Sequence, residues 1–289
     1  MIRLRIGGVP EHFNLPWHLA FQAGKLAAAG IDLAWRDYPG GSGAMAKALA
    51  DGELDAALLL TEGAVAAVGA GPGIEIASLY TESPLVWGIH VPAASDLRTV
   101  EQLERARYAV SRKGSGSHLM AFVHARTRGW SVADSQLVVV DNLDGAVAAF
   151  AAGRADVFFW EKFMTKPLVD AGTFRRVGEF TAPWPAFVLC VAGSADATQR
   201  AALARALALV LEEAQAFKAQ PGAAELIAAR YGLMAGDARE WLAATRWSAR
   251  VGVAPDDIAP ACMALGSLGV LPRVVDAAAC LARDFAPAP

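Results

Sequence analysis

From Ile2 to Val191 the chain alternates short apolar runs with stretches in which apolar residues recur at helical spacing. Ile2 to Ile6 is the first run, and Gly7-Gly8-Val9-Pro10-Glu11-His12-Phe13-Asn14 follows it as a loop of helix-hostile and cap-type residues. From Pro16 the spacing of Trp17, Leu19, Ala20, Phe21 and Leu26 predicts a helix, which Gly30 stops. Ile31 to Trp35 predicts a second strand, and Ala44, Met45, Ala48 and Leu49 predict a helix to about Ala50. Leu54 to Leu60 reads as a third strand, and Ala64 to Ala70 as a short helix closed by Gly71-Pro72-Gly73. Ile74 to Tyr80 and Leu85 to Val91 are extended on either side of Thr81-Glu82-Ser83-Pro84, a polar break suited to a crossing between lobes.

The alternation then resumes. Leu97 to Ala106 predicts a short amphipathic helix, Tyr108 to Val110 a strand, and Leu119, Met120, Phe122 and Val123 a helix to about Arg128. Leu137 to Val140 is a strand, a helix opens at Asp141-Asn142-Leu143-Asp144 and ends at Gly153, and Ala155 to Trp160 is a strand leading into Trp160-Glu161-Lys162-Phe163. Thr181-Ala182-Pro183-Trp184-Pro185 is stiffened by prolines, and Ala186 to Val191 is the returning strand. Beyond it the pattern is helical: Ala197 to Ala219, Ala223 to Tyr231, Asp237 to Ser248, Pro255 to Leu268 and Pro272 to Phe285, with a frayed Pro287-Ala288-Pro289 tail. Repeated strand, loop and helix predict an α/β fold with a parallel or mixed sheet covered by helices, the middle segment forming a second lobe.

Two breaks in the pattern share one grammar. Pro39-Gly40-Gly41-Ser42-Gly43 and Ser111-Arg112-Lys113-Gly114-Ser115-Gly116-Ser117-His118 each follow a strand and open a helix. The first N–H groups of such a helix lack intrahelical partners and point at whatever lies in front of them. Neither stretch is a nucleotide phosphate loop, because Lys113 precedes its glycines instead of closing them. The first strand-to-helix turn also lacks the glycine spacing of a dinucleotide fold. What remains is a small anion or zwitterion held by backbone N–H groups and the hydroxyls of Ser42, Ser115 and Ser117, or tight turns whose serines cap helices without a ligand.

Composition narrows the classes further. A chain of 289 residues divides most simply into two domains, and 55% hydrophobic with 19% charged residues is far from disorder. With 26 Lys and Arg scattered against 29 Asp and Glu, the net charge of -3 recruits neither nucleic acid nor an anionic membrane. Cys190, Cys262 and Cys280 are far apart and odd in number, so they read as small core residues. The amino terminus reads as the first strand with its initiator methionine attached, with no leader pattern and no lipid-bearing cysteine. As written the chain is expected in the cytoplasm, and in the periplasm if its true start lies upstream.

The candidate side chains gather at predicted strand ends, where open α/β sheets bind ligands. His12 and His118 stand in cap-rich loops and can hydrogen-bond a ligand oxygen at either ring nitrogen. Glu62 and Glu161 would favour a ligand with a cationic or donating part, whereas Glu82 reads as solvent-exposed or paired. Phe13, Trp17, Trp160 and Trp184 offer flat faces, Trp184 most rigidly. The histidine spacings fit no metal pattern, and no nucleophile elbow or cysteine–histidine pair is present, so no metal, cofactor or catalytic residue is expected.

Gly40-Gly41-Ser42-Gly43-Ala44-Met45, Gly52-Glu53-Leu54-Asp55 and Leu60-Thr61-Glu62-Gly63 resemble the first lobe of substrate-binding proteins of sulfonate, taurine, nitrate and thiamin-precursor uptake. Pro10-Glu11-His12-Phe13, Ser111-Arg112, Gly114 to Met120, Trp160 to Lys166 and Pro183-Trp184-Pro185 resemble a subgroup of that superfamily, with fungal and bacterial members lacking an assigned ligand. The resemblance implies the two-lobed type 2 periplasmic-binding-protein fold, with residues 1–88 plus 187–289 as the first lobe and 89–186 as the second. It also implies a non-catalytic protein, linked to ABC-type uptake and to an ABC permease, that closes around a small organic anion or zwitterion. The ligand set expected is His12, Phe13, Asn14, Ser42, Gly43, Glu62, Ser115, Gly116, Ser117, His118, Trp160, Glu161 and Trp184. Two alternatives stay open. One is an enzyme on the same scaffold related to thiamin-pyrimidine synthesis, with His12 or His118 as acid/base beside Glu62, although the cysteine cluster of those synthases is absent. The other is a cytoplasmic small-molecule sensor.

Overall fold

The computed structural model describes residues 1–271, 274–283 and 285. In chain order the principal elements of the first half are β1 (Ile2–Gly8), α1 (Leu15–Gln22), α2 (Lys25–Ala28), β2 (Ile31–Asp37), α3 (Gly41–Ala50), β3 (Ala56–Leu60), α4 (Thr61–Ala70) and β4 (Ile74–Pro92). There follow β5 (Tyr108–Val110), α5 (Gly116–Thr127), β6 (Leu137–Val139), α6 (Leu143–Ala151), β7 (Val157–Glu161), α7 (Lys166–Asp170) and β8 (Phe174–Ala192). The carboxyl-terminal part is helical: α8 (Ala197–Lys218), α9 (Ala223–Tyr231), α10 (Ala235–Ala244) and α11 (Pro255–Ser267).

The eight strands run in the order β2-β1-β3-β8-β4-β7-β5-β6. β1 is parallel to β2 and β3, and β5 is parallel to β6 and β7, as strand–helix–strand units require. The two long strands, 19 residues each, pair antiparallel from Ile74↔Ala192 to Pro92↔Phe174 and join these groups. One end of β8 lies on β3, through Ala56↔Val191 to Leu60↔Phe187, and the other end of β4 lies on β7, through Trp87↔Glu161 to His90↔Phe158. Each lobe therefore owns half of each long strand. Register shifts cluster between Leu79 and Val86, where Pro84 faces Pro185. Proline removes a ladder donor, so an irregular crossing is where the sheet tolerates it.

That pairing corrects the expectation of two extended pieces separated by a break at 81–84, and of a returning strand that starts only at Ala186. Each long strand satisfies the other's backbone, and local breaker chemistry is overruled. The helix expected over Leu97 to Ala106 is a single 3-10 turn, Val100–Leu103. Of the helix expected over Pro272 to Phe285, the described part has one 3-10 turn, Ala278–Cys280, and Leu281 bridges Ile76 instead. Pro272, Arg273, Asp284 and the Pro287-Ala288-Pro289 tail lie outside the described residues.

β3 is apolar throughout because both its faces are covered, and Leu58 and Leu59 are fully buried. α8 lies along β1 and α1 and buries Leu203, Leu207, Val210, Leu211 and Phe217, each side chain contributing about 1.5–3 kcal/mol. One device recurs in both lobes. Before β3, Asp55 accepts from Arg5 Nε at 3.2 Å and Nη2 at 2.6 Å, and before β7, Asp156 accepts from Arg107 Nε at 2.8 Å and Nη2 at 2.6 Å. A planar fork that fixes the start of a strand also fixes where its far end arrives. Cys190, Cys262 and Cys280 are free and buried. No helix among the described residues is long and apolar enough to cross a membrane.

Candidate functional site

The far ends of these strands deliver the two glycine stretches to opposite sides of one cavity of about 280 Å³. On the first lobe, Gly40 precedes α3 and no side chain caps the helix. Gly41 N–H donates to Tyr38 O at 2.9 Å, and the N–H groups of Ser42 and Gly43 have no protein acceptor among the described residues. The Ser42 hydroxyl is turned back into the fold, where it accepts from Leu60 N–H at 2.9 Å.

On the second lobe, Ser115 caps α5. Its Oγ accepts from His118 N–H at 3.4 Å and donates to Arg112 O at 2.7 Å, while Ser117 Oγ accepts from Ser111 N–H at 2.9 Å. The hydroxyls thus hold the loop in shape, and the N–H groups of Gly116 and Ser117 have no protein acceptor among the described residues. Gly116 is required by packing, since a Cβ there would stand 2.6 Å from Leu60 Cδ1 and 2.8 Å from Trp87 Cη2. A third helix start, at Asn142, Leu143 and Asp144 of α6, lines the same cavity. Asn142 Oδ1 accepts from Gly145 N–H at 2.9 Å.

Arg112 supplies the positive charge. It lines the cavity half-buried, and Nη1 donates to Gly40 O, so the second lobe's loop reaches the first lobe's helix start. A Cβ on Gly43 would stand 2.5 Å from Arg112 Nε, so the glycine makes room for the guanidinium. Burial lowers the pKa of Arg112, and no carboxylate offsets it. A half-buried cation beside unpartnered N–H groups is a local excess of positive potential. The lobes are bridged further by Lys162 to Glu240 at 2.8 Å and Lys166 to Asp237 at 3.4 Å.

Opposite in character is the end where β4 meets β7. Trp87 and Glu161 are direct cross-strand partners, which puts both side chains on one face, and both line the cavity. Glu161 Oε2 accepts from the N–H groups of Phe163 at 2.8 Å and Met164 at 2.6 Å. Burial, then the charge of Glu11, nevertheless pushes the Glu161 carboxyl up to about 8, and burial pushes Glu11 up to about 7. The indole N–H of Trp87 is buried without a partner among the described residues. Val9, Pro10, Leu60, Leu85, Trp160, Met164 and Phe187 complete an apolar lining.

Of the residues expected from sequence, Ser42, Ser115, Gly116, Ser117, Trp160 and Glu161 line the cavity. Gly43 abuts the lining residue Arg112 without lining the cavity itself, and the others are placed off it. His12 is fully buried among Phe13, Tyr231 and Trp241, and its Nε2 is 3.7 Å from Glu161 Oε2. Burial drives His12 down to about 3, so the imidazole is neutral and its contact with Glu161 is no ion pair. Phe13 packs on Phe187 and Trp241, and Asn14 Nδ2 donates to Val9 O at 2.8 Å. Trp184 is buried with Nε1 donating to Glu62 Oε2 at 2.8 Å, and burial raises Glu62 to about 7. The enzyme alternative paired His12 or His118 with Glu62, but Glu62 is bonded to Trp184. His118 Nδ1 accepts from Gly114 N–H at 3.1 Å, and the ring packs on Phe122. No group of His, Cys, Asp and Glu among the described residues could hold a metal ion.

Arg112, Trp87 and Glu11 are among the lining residues that sequence reasoning passed over. Arg112 stands within the Ser111 to His118 stretch, where a cation directly before a glycine cradle is the sequence signal of an anion site. Trp87 and Glu161 meet only through strand pairing, which no local pattern reveals.

The comparisons follow the same geometry. The family model of Ca3427-like periplasmic binding proteins matches residues 87–180. No curated protein matches the chain. The structure of the Candida albicans CA3427 gene product, described as defining a new family with the generic periplasmic-binding-protein fold, superposes with a TM-score of 0.90 at 25% identity, covering 100% of this chain and 98% of that one. The alkanesulfonate-binding protein SsuA of Xanthomonas axonopodis pv. citri, bound to MOPS, gives 0.82 at 21% identity, covering 98% and 99%. The periplasmic aliphatic sulphonate-binding SsuA of Escherichia coli gives 0.74 at 19%, covering 100% and 94%. This chain therefore has the two-lobed type 2 periplasmic-binding-protein fold, and its central segment matches the Ca3427-like model.

Proposed function

We propose that the protein is a non-catalytic binding protein that closes its two lobes on one small organic anion or zwitterion. The observation that carries this reading is the placement of Arg112, without a carboxylate partner among the described residues, between two helix starts whose N–H groups lack acceptors among them. Each lobe contributes at least one helix start, so a bound anion makes contacts available only when the lobes are together, and binding favours closure. The apolar and aromatic lining fits a ligand with a carbon body, and Trp160 offers a flat face. The likeness to sulfonate-binding proteins supports a sulfonate, carboxylate or phosphate group as the anion, and delivery to an ABC permease as the role.

The test is calorimetry and native mass spectrometry of the full chain with panels of alkyl and aryl sulfonates, carboxylates and phosphates. One-to-one binding with the ligand's mass unchanged after prolonged incubation is expected. Absence of heat with every panel, or turnover of the bound compound, overturns the reading. Fractionation of the protein in its own host tests the transport role, for which a periplasmic location is expected. A cytoplasmic location would favour the sensor.

A further inference from the structure

We propose that Glu161 and Glu11 form a second, carboxyl pole of the cleft that selects organic anions carrying a protonated amine. This rests on the anion-binding reading above and names the ligand class within it. Three observations carry the inference. Glu161 and Trp87 stand opposite each other on β7 and β4 and line the cavity together. Glu161 is 4% exposed, and the hydrogen bonds it accepts from Phe163 and Met164 both fall on Oε2, which leaves Oε1 without a protein donor among the described residues. Glu11, from the loop after β1, lines the same cavity as a second carboxyl.

Arg112 and the two carboxyls line the same cavity without an ion pair between them among the described residues. Burial alone governs the guanidinium, and Arg112 has no part in the balance of either carboxyl. The groups facing Glu161 are Glu11 from the loop after β1, neutral His12 behind it, and its neighbour Lys162, whose ammonium is engaged by Glu179 and Glu240. Tyr231 is the titratable neighbour of Glu11. Two carboxyls without a cation between them hold a proton at neutral pH, with Glu161 near 8 and Glu11 near 7. An ammonium group replaces that proton and removes the repulsion, whereas a ligand with a methyl group in its place leaves the pair as it was.

The experiment titrates the full chain with para-(aminomethyl)benzenesulfonate and with para-toluenesulfonate, which differ only in the amine. Calorimetry in two buffers of different ionisation heat counts the protons released. The amine probe is expected to bind at least about tenfold tighter than the methyl probe at about pH 8, with release of about half a proton there, rising to about one or more near pH 7, and up to about tenfold weaker binding per unit of pH below that. Glu161→Gln, which keeps an oxygen for the N–H groups of Phe163 and Met164, is expected to abolish both the preference and the proton release. Glu11→Gln serves as the second variant and is expected to lower the preference. Equal or tighter binding of the methyl probe, or a preference that survives in both variants, overturns this inference alone. If neither probe nor any other organic anion binds, the anion-binding reading falls and takes this one with it.

Discussion

The starts of α3 and α5 share a glycine-rich sequence and face one cavity, yet they are built differently. At α5 the serines are consumed locally: Ser115 and Ser117 cap the helix and brace the loop from Ser111 to His118. At α3 no side chain caps the helix, and Ser42 instead reaches across to the end of β3. Only backbone N–H groups and Arg112 remain free to meet an anion at both. Glycine and serine in such loops therefore fix shape, and the charge that gives the site its sign comes from the arginine set among them.

That contrast breaks most visibly at Arg112. Arg112→Ala removes the charge and the bridge to Gly40, and a charge-assisted hydrogen bond of this kind is worth about 1.5–3 kcal/mol, so calorimetry is expected to show about ten- to a hundredfold weaker anion binding. Unchanged affinity would show that the helix starts suffice alone. A pH test of stability comes next. Glu62 titrates near 4.5 unfolded and about 7 folded, so the folded state holds the proton more tightly and stability falls as pH rises from about 4.5 through about 7. Glu62→Gln, which keeps an acceptor for Trp184, is expected to be the more stable protein above about pH 7, by up to about 3 kcal/mol, and no more stable at about pH 4. Denaturant melts at the two pH values read this directly.

The smaller effects separate the two cradles. Gly116→Ala forces a Cβ against Leu60 and Trp87 and is expected to cost about 1–3 kcal/mol of stability by overpacking, together with weaker binding. Ser115→Ala loses the α5 cap, a change of about 1 kcal/mol in denaturant melts, and is expected to shift anion affinity less than about threefold. A large loss of affinity with little loss of stability in Ser115→Ala would mean that the hydroxyl faces the ligand and that the contrast is wrong.

Much of the fold was legible because period and punctuation are local. Alternating runs located six of the eight strands within a few residues, with β4 split at 81–84 and the returning strand placed only from Ala186. The glycine stretches marked both helix starts at the cavity. The candidate site was legible in part. His12, Trp184 and Glu62 stand in stretches that read as loops and promise exposure, but Tyr231, Trp241 and the Trp184–Glu62 bond draw them into the core. Whether a loop side chain turns in or out depends on neighbours distant in sequence, and composition carries no record of them.

By itself the sequence determined an α/β chain with strands ending in glycine-rich helix starts, since hydrophobic period and the φ freedom of glycine act over a few residues. Tertiary structure alone decided that β4 and β8 run unbroken through both lobes, that Trp87 stands beside Glu161, and that Arg112 reaches Gly40. These are pairings of residues far apart in the chain. They are set by which backbone and charged groups must find partners once the core excludes water.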